Sequence, residues 1–327
     1  MTEFENTKAR AATDSPSASD QRCSIYTLAL GRQFGARWAV QNLNLKVPQG
    51  CVYGFLGLNG AGKSTTIRML MGLLTPTTGV VNVLGCDPVC EDTEIKRRVG
   101  YVPDLPTFYD WMTPRELCAL CQHYRRGEWD AARAANLLKV FKVPADQKVR
   151  TLSKGQRAKV SLILALAFNP EMLVLDEPTG GLDPLARRQF IEGVLAEFME
   201  GDRTIFISSH LVNEIAGLVD RYGILHEGRL IRTGRVEELL QSMKRVRLCF
   251  EGTAPRSCAC DGLLRFRANG REALVTVEGF DAERTVRSLQ ALQPAQVTVE
   301  DLTLEEAFVE IVGREEFDED ADGGAAQ

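Results

Sequence analysis

Short apolar runs alternate with longer amphipathic stretches along most of the chain. Glycine, proline or charged residues bound the short runs, which is typical of buried strands. The strands predicted in this way are Val52–Leu56, Val80–Leu84, Leu173–Leu175, Thr204–Ser208 and Gly223–Leu225. Strands that alternate with helices predict an α/β fold.

Capping residues predict where several helices begin. Thr113-Pro-Arg-Glu116 is typical of a capping box with proline at the first helical position. Asp183-Pro184 repeats the acidic cap followed by proline. We therefore expect a helix over Pro114–Tyr124, and a second one from about Lys154 that ends at Pro170.

The pattern changes near residue 241. Residues 23–240 form the predicted main domain, and residues 241–313 form a predicted small α+β domain. The first 22 residues have no secretory signal pattern and predict a disordered leader, and residues 314–327 predict an acidic, solvated tail. The elements predicted in the small domain are strands at Val246–Phe250, Leu263–Arg267, Ala273–Val277 and Gln296–Val299, and helices at about Ala282–Leu292 and Leu304–Ile311.

Composition indicates a globular protein. The chain has 327 residues, of which 44% are hydrophobic, and a formal net charge of −5. Long apolar runs such as Leu162–Phe168 fall far short of the roughly 20 residues that cross a bilayer. The mild acidity and the lack of a basic stripe with aromatic residues predict no nucleic-acid partner.

Nine cysteines in a chain without an export signal indicate a reducing compartment, so we expect a cytoplasmic protein with free thiols. Three close pairs could suggest a metal site: Cys86/Cys90, Cys118/Cys121 and Cys258/Cys260. None of them shows two matched pairs at zinc-finger spacing, so we predict no metal there.

A phosphate-binding loop is predicted directly after the strand Val52–Leu56. Glycines let the backbone N–H groups of such a loop surround phosphate oxygens, Lys63 then reaches the β- and γ-phosphates, and Ser64 offers a hydroxyl to Mg²⁺. Alone, the loop predicts only an NTPase, which includes kinases, GTPases and motors. The loop residues, which match G-x-x-x-x-G-K-[ST], are Gly57, Leu58, Asn59, Gly60, Ala61, Gly62, Lys63, Ser64 and Thr65.

Further motifs follow in a characteristic order. Leu152-Ser-Lys-Gly-Gln156 precedes Met172-Leu-Val-Leu-Asp-Glu-Pro178, and Gly181-Leu-Asp-Pro184 comes next. In order and spacing these motifs resemble the ATPase subunits of ABC transporters over about residues 24–235. The resemblance implies a P-loop NTPase fold with a mixed sheet core, a helical subdomain at about residues 104–168, and ATP with Mg²⁺ as ligands.

The resemblance also assigns roles to individual residues. Asp176 is expected to hold Mg²⁺, and Glu177 to orient or deprotonate the attacking water. His210 matches the histidine that contacts the γ-phosphate, and Phe34 matches the aromatic residue that stacks on adenine. Ser153, Gly155 and Gln156 are expected to contact ATP that a second subunit holds.

Two residues depart from the family pattern. Asp104 stands where the family usually has glutamine, and Lys154 stands where it usually has glycine. A carboxylate can still accept hydrogen bonds from metal-bound water, so we keep Asp104 as a predicted Mg²⁺ contact.

The subfamily resemblance predicts the partners. The lysine-bearing signature, Gly181–Pro184 and Asp301–Phe308 are similar to bacterial multidrug-type exporter ATPases, which pair with separate permeases. The resemblance implies a second copy or a homologous ATPase subunit, an integral membrane permease on another chain, and a position on the inner face of the cell membrane. The alternatives are a soluble ABC ATPase of translation or DNA repair, and a GTPase or small-molecule kinase. The absence of the guanine-reading Asn-Lys-x-Asp motif argues against a GTPase.

Overall fold

The computed structural model describes residues 23–125, 127–198 and 203–323, which divide into two compact units. The first unit contains the residues up to His210 together with Gly223–Arg232. The second contains Leu211–Tyr222 and the residues from Thr233 onward. The predicted leader lies outside the described residues, and the predicted boundary at residues 240 and 241 stays a prediction.

Strands and helices alternate along the chain, as the apolar pattern predicts. The strands are β1 (Cys23–Phe34), β2 (Arg37–Leu43), β3 (Lys46–Pro48), β4 (Val52–Leu56), β5 (Thr78–Val83), β6 (Val99–Val102), β7 (Met172–Asp176), β8 (Thr204–Ser209), β9 (Arg221–His226), β10 (Arg229–Arg235), β11 (Met243–Cys249), β12 (Leu263–Asn269), β13 (Glu272–Glu278) and β14 (Gln296–Asp301). The helices are α1 (Lys63–Leu70), α2 (Asp92–Arg98), α3 (Pro114–Tyr124), α4 (Ala131–Val140), α5 (Lys154–Leu166), α6 (Pro184–Phe198), α7 (Val212–Ile215), α8 (Val236–Ser242), α9 (Ala282–Gln290) and α10 (Leu304–Gly323), and Val149–Thr151 forms a 3₁₀ turn.

The central sheet has six strands in the order β10-β9-β4-β8-β7-β6. Strands β4, β8, β7 and β6 pair in parallel. Every residue of β4, β7 and β8 is buried, as expected for parallel strands that are covered on both faces. Their carboxyl ends therefore lie at one edge of the sheet, where open α/β sheets bind ligands.

Aromatic packing fixes the two central strands against each other. The ring of Phe206 on β8 lies 5.7 Å from that of Tyr53 and 5.3 Å from that of Phe55, both on β4. All three side chains are fully buried. Burial of such rings contributes on the order of 2–3 kcal/mol each, so the core holds the ends of β4 and β8 in place.

A second sheet pairs β1 with β2, β3 and β5, all antiparallel. The apolar pattern predicts β5 but neither β1, β2 nor β3. Register shifts interrupt β1 against each of its three partners, and Ala29 within it has a positive φ of 48°. Such irregularities remove the strict alternation of buried and exposed residues on which strand prediction depends.

The helix caps agree with the sequence. Thr113 and Glu116 form the predicted capping box of α3, and Asp183 accepts a hydrogen bond from the Ala186 N–H at the start of α6. Helix α5 ends at Leu166, earlier than the predicted end at Pro170. None of the helices in the described ranges combines the length and the apolar character that a membrane span requires.

The second unit has a sheet and a core of its own. Its four antiparallel strands follow the order β12-β13-β11-β14, and Leu289 of α9 packs in the same cluster as Val246 and Val275. This confirms the predicted α+β unit. Helix α10 runs beyond Ile311, the predicted end, and ion pairs of Arg245 with Glu306 (2.6 Å) and of Arg265 with Glu310 (3.3 Å) fasten it to the sheet.

Candidate nucleotide-binding site

The phosphate-binding loop connects β4 to α1, as the sequence predicts. Gly60 and Gly62 have positive φ values of 81° and 105°. A Cβ at Gly62 would collide with the carbonyl oxygen of Ala39, and one at Gly57 would lie 2.5 Å from the carbonyl oxygen of Leu225. Glycine is therefore favoured at position 60 by conformation, at position 57 by space and at position 62 by both.

Lys63 directs its ammonium group back into the loop. The amine donates hydrogen bonds to the carbonyl oxygens of Gly57 (2.7 Å) and Leu58 (3.1 Å). It also forms an ion pair with Glu177 at 3.0 Å, and only 5% of the lysine side chain is exposed. The positive charge is thus fixed at the point where the loop and the end of β7 meet.

Asp176 lies at the carboxyl end of β7, next to the loop. Its Oδ1 accepts hydrogen bonds from the hydroxyls of Ser64 (3.1 Å) and Ser208 (2.8 Å). Ser208 is paired with Asp176 in the register of β7 and β8, which brings the two side chains together. No motif identifies Ser208, although its place at the end of an adjacent buried strand is a signal that points to this site.

The surroundings of Asp176 fit a divalent cation. Burial raises the pKa of the Asp176 carboxyl, the hydrogen bonds from Ser208 and Ser64 lower it, and repulsion from Asp104 and Glu177 raises it again. A buried carboxylate near two others is stabilised by a cation. The carboxylate of Asp176 and the hydroxyl of Ser64 are hard oxygen ligands of the kind that Mg²⁺ prefers.

Glu177 follows β7 and connects three parts of the site. Its Oε2 lies 2.7 Å from Nδ1 of His210 and also accepts a hydrogen bond from the His210 N–H (3.3 Å). Its own N–H donates to the Ser208 hydroxyl at 3.0 Å. The residue has a left-handed backbone with φ of 46°, which is rare for a non-glycine residue and is held here by these contacts. The structure thus brings Lys63, Glu177 and His210 together.

Phe34 lies at the end of β1 and is half exposed. The guanidinium group of Arg32 lies 4.7 Å from the centre of the Phe34 ring, a cation–π contact that no sequence motif indicates. Arg32 is anchored by a 2.8 Å hydrogen bond to the carbonyl oxygen of Thr75. An exposed, supported ring is suited to stack on a nucleobase.

The predicted signature residues begin α5. Ser153 is the N-cap: its hydroxyl accepts from the Gln156 N–H (3.2 Å), and the Gln156 side-chain oxygen accepts from the Ser153 N–H (2.9 Å). Gly155 lies against Leu182 and Ala186. The side chain of Gln156, a predicted ATP contact, is therefore used to cap the helix.

Asp104 follows β6 and is exposed. Burial is the largest cause of the raised pKa of Tyr101, which is about 12, and repulsion from Asp176 is the next. The charge of Asp104 makes a smaller contribution in the same direction. Asp104 therefore lies within electrostatic reach of Asp176, and its role as an Mg²⁺ contact stays a prediction.

A glycine loop with a buried lysine, and a carboxylate pair at the end of the adjacent parallel strand β7, define a P-loop NTPase. The family described as ABC transporter matches residues 40–180. The bacitracin transport ATP-binding protein of Bacillus licheniformis is 40% identical over 209 residues, which are 63% of this chain and 68% of that protein. The daunorubicin/doxorubicin resistance ATP-binding protein of Streptomyces peucetius is 34% identical over 67% of this chain and 68% of that protein.

Other similarities extend this result. A Nod factor export ATP-binding protein of Rhizobium johnstonii is 29% identical over 92% of this chain and 99% of its own length, so its alignment extends beyond the first unit. Among solved structures, an ATP-binding subunit of an ABC transporter has a TM-score of 0.60 at 27% identity, with 66% of this chain and 92% of that chain covered.

The chain belongs to the ABC transporter family, as an ATP-binding subunit of the exporter type. It binds ATP and is an ATPase, which confirms the predicted family, fold and activity. The relatives do not favour a role in translation or DNA repair.

Proposed function

We propose that two copies of this chain, or one copy and a homologous subunit, close over two ATP molecules and drive export through a separate integral membrane permease. One observation supports this most directly. The loop, Asp176, Glu177 and His210 share one site, whereas the first turn of α5 lies at Gly155 against Leu182 and Ala186. The exposed Ser153 cap is suited to complete the site of another molecule.

The residues of the site suggest how hydrolysis proceeds. Lys63 and the loop N–H groups bind and orient the triphosphate, and Ser64 and Asp176 would hold Mg²⁺, which neutralises developing charge on the phosphates. Glu177 accepts a proton from the attacking water, and His210, bonded to Glu177 at 2.7 Å, orients that carboxylate. Phe34 stacks on the adenine ring.

We also propose the arrangement of the chain in the cell. Residues 23–240 act as the ATPase domain, with a helical subdomain at about residues 104–168 that receives the permease. Residues 241–313 form the accessory domain. The protein acts in the cytoplasm, on the inner face of the cell membrane, and affinity purification from detergent-solubilised membranes is expected to recover one integral membrane protein with it.

Complementation between two inactive variants tests the two-molecule site. Lys63→Ala disables the loop, and Ser153→Arg blocks the signature cap. Neither variant alone contains an intact site in a symmetric pair. When the two are mixed, a mixed pair has one site with a native loop from one molecule and a native cap from the other, so ATPase activity is expected to return.

The matched control is a mixture of Lys63→Ala with Glu177→Gln. Both changes lie on the loop side, so every site of a mixed pair is damaged and activity is expected to stay absent. Recovery in the control, or none in the Lys63→Ala and Ser153→Arg mixture, would contradict a site shared between two molecules.

A further inference from the structure

The two departures from the family pattern lie at one cavity. Asp104 follows β6 and Lys154 begins α5, and both line a cavity of about 360 Å³. Pro178, Gly180 and Leu182, from the segment after Glu177, line the same cavity. One anionic side chain, Asp104, and two cationic ones, Lys154 and Arg157, thus line the cavity beside this short turn, and Arg157 lies 3.6 Å from the carboxylate of Asp110.

The turn has two successive glycines with charged side chains beside them. A Cβ at Gly181 would collide with the Lys154 ammonium nitrogen, and Gly181 has a positive φ of 68°. A Cβ at Gly180 would lie 3.5 Å from the Asp104 Oδ1 and 3.2 Å from the carbonyl oxygen of Glu177. The backbone of Gly180 therefore lies near the carboxylate of Asp104, and the backbone of Gly181 lies near the ammonium group of Lys154.

A backbone hydrogen bond links this turn to the site. The Gly180 N–H donates to the carbonyl oxygen of Glu177 at 3.0 Å, and the Leu182 N–H donates to that of Thr179 at 3.0 Å. Because Glu177 has a left-handed backbone, its carboxylate direction depends on how the following turn is held. The hydrogen bond from Gly180 thus connects the turn to the residue whose carboxylate contacts Lys63 and His210.

We propose that Asp104 and Lys154 are complementary positioning residues, whose opposite charges hold the Gly180–Gly181 turn and through it the carboxylate of Glu177. The two departures then compensate each other. The inference deepens the proposed function, since it rests on the role of Glu177 in hydrolysis. Both side chains are exposed, so solvent screening limits the effect.

A charge-swap cycle on the full chain tests this pairing by steady-state phosphate release. Asp104→Asn and Lys154→Gln are each expected to lower kcat about 3- to 5-fold, with KM for ATP changed less than about 2-fold. Asp104→Lys and Lys154→Asp alone place like charges together and are expected to lower kcat about 10-fold. The double swap is expected to recover kcat to within about 3-fold of the original chain.

The controls separate positioning from structure. Aspartate in the first turn of a helix is favourable, so Lys154→Asp does not weaken α5 and lost activity cannot be assigned to that helix. Lys154→Arg keeps the positive charge and is expected to retain activity even if Lys154→Gln folds poorly. Lys139→Gln, an exposed lysine on α4, is the matched neutral control and is expected to have no effect.

The outcomes are distinguishable. If the effects of the single reversals multiply in the double swap, the two charges act independently and the inference is overturned. Unchanged kcat in both neutral variants overturns it as well. An original chain without ATPase activity, in contrast, would contradict the proposed function itself.

Discussion

Replacing Glu177 with glutamine is the sharpest test of the catalytic assignment. Glutamine keeps the size of the side chain, but the amide cannot accept a proton from water. Its single oxygen can replace only one of the two carboxylate oxygens, of which Oε1 contacts Lys63 and Oε2 contacts His210. General bases contribute roughly 10²- to 10⁴-fold to rates. At about 1.36 kcal/mol per tenfold change, the transition state loses about 2.7–5.4 kcal/mol.

The cost to folding is expected to be much smaller. An uncompensated buried charge costs about 3–5 kcal/mol. Lys63 keeps its hydrogen bonds to the carbonyl oxygens of Gly57 and Leu58, at 2.7 and 3.1 Å, so its ammonium group is still satisfied. We therefore expect a loss of about 1 kcal/mol in the free energy of unfolding. ATP binding is expected to persist, because the loop and Lys63 are intact.

Phosphate release, calorimetric ATP binding and thermal unfolding measure these three quantities. Glu171 offers a matched control, since it immediately precedes β7 whereas Glu177 immediately follows it. Glu171 pairs with Arg98 at 2.8 Å and is 56% exposed, so Glu171→Gln should cost at most about 1 kcal/mol and leave turnover unchanged. If Glu177→Gln retains turnover within a few-fold of the original chain, the assignment of Glu177 as the base is refuted.

Three further substitutions test other parts of the site. Lys63→Ala is expected to weaken ATP binding about 10- to 100-fold by calorimetry, because it removes the charge that faces the phosphates; unchanged affinity would exclude that role. Phe34→Ala should lower the affinity for ATP at least about 5-fold and leave the affinity for inorganic tripolyphosphate unchanged, since only the adenine base stacks on the Phe34 ring. Gly62→Ala should lower the free energy of unfolding by about 1–3 kcal/mol in urea titrations, because of its φ of 105° and the Ala39 carbonyl; a loss under 0.5 kcal/mol would show that the loop relaxes.

Strands with a simple pattern were predictable and irregular ones were not. Strand β4 is predicted residue for residue, because its apolar run is continuous and lies between Pro48-Gln-Gly50 and the glycine-rich loop. Strand β10 was missed, since three arginines in Arg229–Arg235 and a largely half-exposed pattern resemble a loop, and a strand at the end of a sheet needs only one neighbour. The short β6 was missed because four residues are too few to show a period.

The site was more predictable than the fold around it. Motifs named Lys63, Ser64, Asp176, Glu177 and His210, and the structure brings all five together. Residues that contact the motif residues from neighbouring positions belong to no motif themselves. Ser208 contacts Asp176 because β7 and β8 pair, and Arg32 contacts Phe34 because of the path of β1. Such partners depend on three-dimensional pairing that one sequence does not reveal.

Because Asp176 is paired with Ser208, nucleotide binding reports whether β7 and β8 are aligned in the correct register. A slip of β8 by one residue would place Ile207 or Ser209 opposite Asp176 and turn the serine hydroxyl toward the other face. A refolded sample could then keep its helical content and still fail to bind ATP. In refolding or expression trials, the fraction of molecules that titrate with nucleotide therefore counts those whose strands are aligned correctly, a quantity that circular dichroism does not give.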